Sequence, residues 1–99
     1  MSDAIRETFQ KDLAVVQWRS VRTHVERDAV ILVDPLLDLV DVAVAVAGDD
    51  TERVGPWIAE GRLAKPDQER LDYLKTRPDT PFRLLIARPF LLVQEVGEG

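Results

Sequence analysis

Residues 36–47 read Leu-Leu-Asp-Leu-Val-Asp-Val-Ala-Val-Ala-Val-Ala, and the fold turns on whether they coil or extend. Val40, Val42, Val44 and Val46 alternate with small or acidic residues, as a half-buried strand does. Leu36, Leu39, Val40, Ala43, Val46 and Ala47 also fall on one face of a helix, with Asp34, Asp38 and Asp41 opposite. Length and alanine content favour the helix. An extended stretch would instead make a hairpin with the run before it.

That run, Ala29-Val-Ile-Leu-Val33, is apolar and β-branched, bounded by Asp28 and Asp34-Pro35, and reads as a buried strand. Upstream, residues 3–16 read as a helix, because Ile5, Phe9, Leu13 and Val16 fall in one stripe. Trp18, Val21 and Val25 form a second stripe, so the segment is a bent helix or two short ones, ending near Glu26 or Arg27.

Downstream, Gly48-Asp49-Asp50 reads as a turn and Thr51 to Glu60 as a helix closed by Gly61. Pro56 implies a kink or a restart in that helix. Residues 62–65 are extended before Pro66. Asp67 caps a helix to about Thr76, with Leu71 and Leu74 turned to the core. Phe82–Ala87 and Phe90–Glu95 read as strands joined at Arg88-Pro89, and residues 96–99 as a tail.

This order of elements suggests an α+β, winged helix-turn-helix-like domain. It has N-terminal helices, a small antiparallel sheet, and a helix inserted in the wing. Gly48, Val54 and Trp57 fit the spacing: a small residue in the turn, then two apolar contacts on the second helix. With 99 residues the chain forms one domain, 1–99.

Apolar residues make 45% of the chain and charged ones 31%, a globular composition. There is no cysteine, which excludes disulfides and thiolate chemistry. Met1-Ser2-Asp3 carries no basic-then-apolar signal pattern and no apolar run spans a membrane, so a cytoplasmic location is expected.

The net charge of −5 is unevenly spread: residues 28–61 hold one base, Arg53, against eight acids. Such a segment repels phosphate backbones and attracts cationic partners. Asp34, Asp38, Asp41, Asp49 and Asp50 form the candidate partner surface. Carboxylates in a row can also hold Mg²⁺ or Ca²⁺, but the loop spacing of a calcium site is missing. The competing role, a DNA-binding regulator, would use Arg19, Arg22, Arg27, Arg83 and Arg88. Against it, the helix expected in the groove carries Arg53 against Glu52 and Glu60, preceded by Asp49 and Asp50.

His24 is the single histidine and neither serine sits in a nucleophile motif, so no catalytic residue, cofactor or metal is expected. Trp18 and Trp57 are expected as core anchors near an edge. The apolar 82–93 run either buries Leu84, Ile86, Leu91 and Val93 against the helices or pairs an edge strand with a second copy; a homodimer is the favoured expectation. The expected role is therefore a non-enzymatic protein-interaction module with a basic protein partner.

Several blocks carry a resemblance: Glu26-Arg-Asp-Ala-Val-Ile-Leu-Val-Asp-Pro35, Leu39-Val-Asp-Val-Ala-Val-Ala45, Asp49-Asp-Thr51, Trp57-Ile-Ala-Glu-Gly61 and Phe90-Leu-Leu-Val-Gln-Glu95. In this order they resemble a family of small uncharacterised bacterial proteins known as a domain of unknown function, DUF2288. The family carries no established activity, so the resemblance implies a bacterial protein and transfers no site residue. Gly55-Pro56 departs from its pattern, where helix formers are expected.

Overall fold

The computed structural model describes residues 2–25 and 29–96, with side chains from Ala4 to Thr23 and from Ala29 onward. Arg27, the helix end at Glu26–Arg27 and the tail at 97–99 lie outside the described residues, as does the side chain of His24.

The elements are α1 (Ser2–Asp12), β1 (Ala14–Gln17), α2 (Trp18–Val25), β2 (Val30–Val33), α3 (Leu39–Ala47), α4 (Thr51–Ala59), β3 (Leu63–Ala64), α5 (Gln68–Lys75), β4 (Pro81–Ala87) and β5 (Phe90–Glu95). They build an α+β domain around one five-stranded sheet, in the order β1-β4-β5-β2-β3. β5 pairs antiparallel with β4, Leu84 opposite Val93, and parallel with β2, Ile31 opposite Leu92. β1 and β3 are the two edges, each antiparallel to its neighbour.

Helices cover both faces because the central strands are apolar on both. Successive side chains of a strand alternate between faces. On one face Val33, Leu63, Leu85, Ala87 and Leu92 pack against α3, with Phe9 and Leu13 added from α1 and the turn after it. On the other face Val30, Phe82 and Val93 pack against Trp18 and Val21 of α2 and Leu74 of α5. Trp18 meets Phe82 with ring centroids 5.5 Å apart, tilted by 44°.

Residues 39–47 are helical. α3 lies between the sheet and α1, so it buries Leu39, Val40, Val42, Ala43 and Ala45. Alternating valines suit this helix because nearly its whole circumference is covered. Asp38 caps it, accepting from the N–H groups of Val40 and Asp41. Asp50 and Asp67 cap α4 and α5 in the same way.

Other expectations need correction. Residues 14–17 are not the end of the first helix; they form edge strand β1, whose pairing with β4 takes the place of a fourth helical turn. The sheet is neither small nor purely antiparallel, because β2 runs parallel to β5. The winged-helix layout is therefore not confirmed: α3–turn–α4 is a local helix-turn-helix on a sheet covered from both sides. β4 and β5 are interior strands, so neither has a free edge for a second copy. The left-handed residue of the α3–α4 turn is Asp49, at φ 55°, and not Gly48. Gly48 serves by smallness, since a Cβ there would stand 3.2 Å from the Val44 carbonyl oxygen. α4 runs through Pro56 as one helix.

Candidate interaction surface

The acidic residues of the candidate partner surface lie in two groups at opposite ends of α3, about 13 Å apart for a helix of this length. The first group precedes α3 and enters its first turn. Asp34 accepts the Leu36 N–H at 2.8 Å, holding the turn after β2. Asp38 is the helix cap and Asp41 lies one turn in. Arg6 of α1 reaches both, bonding Asp41 and standing 3.1 Å from Asp38. These carboxylates hold the Arg6 guanidinium charge more firmly, the hydrogen bond from Arg6 to Asp41 contributing most. The expected single face does not form because α3 begins at Leu39; Asp34 and Asp38 lie before it.

The second group is the turn Asp49-Asp50. Asp49 is exposed, and its backbone N–H donates to Val46. Asp50 caps α4 by accepting from the Arg53 N–H. Arg53, the base nearest this turn in sequence, lies over the Trp57 ring at 5.5 Å from its centroid. Among the described residues, no group of three or more carboxylate or histidine side chains converges in a way that could hold a metal ion.

The structure does not assemble the alternative arginine patch. Arg19 and Arg22 ride on α2, and Arg19 pairs with Asp79. Arg83 lies on β4 with Leu85, facing the side of α1, α3 and α4. Arg88 sits in the β4–β5 turn, separated from Arg19 by the length of β4, on the order of 20 Å.

Sequence reasoning missed a cleft of about 420 Å³ between α4 and the β3 side of the sheet. Ile31, Leu63 and Leu92 give its sheet wall; Val46, Val54 and Ile58 give its helix wall. Asp49, Asp50 and Lys65 are also at the cleft. It opens because α4 is thinly packed: none of its residues is buried, and Ile58 is 59% exposed. The one local signal was Ile58 itself, an apolar residue beside Trp57 that the Val54–Trp57 core stripe did not need.

The molecule is thus an α+β domain with a mixed sheet, a two-sided core and an acidic turn beside an apolar cleft. The chain belongs to the family described as Protein of unknown function (DUF2288), whose model matches residues 4–95. The solution NMR structure of PA1075 from Pseudomonas aeruginosa is similar to it, with 30% identity and a TM-score of 0.80, over 96% of this chain and 87% of that one. No curated protein matches the chain. No described helix is long and apolar enough to cross a membrane.

Proposed function

We propose that this domain is a non-enzymatic protein-interaction module whose partner presents a basic surface to the α3–α4 end. One observation carries the proposal: the Asp49-Asp50 turn, with Asp49 exposed and Asp50 half-buried, adjoins an open apolar cleft and belongs to a segment holding one base against eight acids. Apolar contact supplies affinity, and the surrounding charge selects the partner and speeds encounter. In this role the helix-turn-helix segment is a protein contact. Its second helix carries Arg53 as its single base, and that guanidinium already lies over Trp57.

The test is a titration of the labelled full chain with oligolysine and, separately, with a random-sequence DNA duplex, at ~50 mM and ~200 mM salt. The expected result is oligolysine binding that weakens with salt and no duplex binding at either concentration. Duplex binding that disappears at the higher salt would instead favour a DNA-binding regulator. Silence with both would end the basic-partner proposal.

A further inference from the structure

We infer that the cleft beneath α4 receives an apolar anchor from a partner segment whose flanking residues are basic. This rests on the interaction role proposed above and gives it a definite seat. The cleft, at about 420 Å³, falls within the ~300–1,000 Å³ of ordinary ligand sites. It greatly exceeds the ~30 Å³ share of one water, and its walls are aliphatic and aromatic. Water in such a space has few polar partners, so replacing it with an apolar side chain is favourable.

Two exposed residues at the cleft make it accessible: Ile58 on α4 and Phe90 at the start of β5. Both are large apolar groups that a monomer would gain by covering. Interfaces concentrate their energy where such a pocket takes an anchor and a polar rim keeps water out.

The rim decides which anchor-bearing segment fits. Asp49 and Asp50 line the cleft together with Lys65, two acids to one base. The Asp49 side chain is exposed at this rim. Asp50 accepts one backbone N–H as the α4 cap, and an ionised carboxylate has room for more donors. Lysines or arginines beside the anchor would complete both. Edge strand β3, which has a neighbour on one side only, contributes Leu63 and Ala64 to the lining, so an extended segment has room to approach.

The experiment is an amide-resolved NMR titration of the full chain with the peptide Lys-Lys-Leu-Trp-Lys-Lys. Two controls accompany it: alanines in place of Leu-Trp, and glutamates in place of the lysines. Shifts should concentrate at Ile31, Val46, Val54, Ile58, Leu63 and Phe90. Affinity should fall about tenfold or more for the alanine peptide, as for loss of a pocket anchor. Ile58→Asp, at an exposed position, should keep a dispersed spectrum and weaken the parent peptide similarly. Asp49→Asn keeps a residue that tolerates the left-handed turn and should flatten the salt dependence.

Equal binding of the alanine peptide would overturn the cleft as the seat and leave the basic-partner role standing. Equal binding of the glutamate peptide would overturn the basic flank and with it that role. Cleft shifts that appear on concentrating the protein alone would make a second copy the occupant and overturn the proposal. Absence of shifts with all three peptides would do the same.

Discussion

The side-chain amide of Gln94 donates to the carbonyl oxygens of both Asp34, at 2.9 Å, and Leu37, at 2.6 Å. Gln94 is the one buried polar residue among those described, 2% exposed at the end of β5. It fastens the β2–α3 turn to the middle of the sheet, and so fixes where α3 starts. Gln94→Leu removes two hydrogen bonds; the part-buried Asp34 carbonyl keeps the Leu37 N–H, while that of Leu37 loses its side-chain donor, and about 2 kcal/mol of stability should go. Urea denaturation measures it, and an unchanged midpoint would deny the fastening.

Gln94→Glu sets a carboxyl against those same carbonyls. Burial without a donor favours the protonated form, so the folded-state pKa lies above the unfolded one. The sign follows: stability is retained at low pH and lost as pH rises through the folded pKa. Melting temperatures of this variant should therefore fall from acid to neutral pH relative to the parent. A parallel pair of curves would show that the site admits water.

Trp18 and Phe82 form the centre of the α2/α5 side of the core. Trp18→Ala should cost ~3–5 kcal/mol, the ordinary toll for emptying a buried aromatic site. Because Trp57 is only half-buried, a Trp57→Phe variant isolates the Trp18 emission. That emission should be blue-shifted when folded and move red in a single step on unfolding.

Two glycines should respond differently. Gly61 stands at φ 74°, and Gly61→Ala should destabilise by ~1 kcal/mol or more. Gly55 is helical and, its chain neighbours aside, has nothing within 4 Å of an added Cβ. Gly55→Ala gains helix propensity, but a Cβ before Pro56 disfavours the helical backbone, so stability should stay within ~0.5 kcal/mol of the parent. Thermal melts of the pair decide both, and an equal loss at the two sites would contradict the backbone geometry.

Arg6 ties α1 to the start of α3 through Asp38 and Asp41. Arg6→Ala should speed hydrogen exchange of α1 amides while leaving β4 and β5 amides unchanged. High salt should have the same effect on the parent, since the pair is open to solvent. Uniform acceleration across the sheet would mean that α1 is integral to global stability.

Most elements were legible locally because their signals are local. Asp38, Asp50 and Asp67 announce helix starts, Gly61 a helix end, and Val30–Val33 a buried strand. β1 was hidden because Leu13 and Val16 continue the helical stripe of Ile5 and Phe9. What makes residues 14–17 a strand is Val16 opposite Phe82, far along the chain. The parallel pairing of β2 with β5 was equally invisible, and without it the order of elements suggested a smaller antiparallel sheet. The acids were legible as caps and turn residues, but their grouping depended on where α3 begins. The cleft left no signal beyond the spare Ile58, since its walls join Ile31, Ile58 and Leu92 only in three dimensions.

The position of β5 also bears on synthesis. Of the five strands of this sheet it is the last to be synthesised, yet it joins β4 to β2. Until it emerges, the nascent chain holds two disconnected pairs, β1 with β4 and β2 with β3, each with an open apolar flank. Native folding must therefore await translation of residues 90–95, and a message truncated before them should yield an aggregating product in place of a smaller folded one.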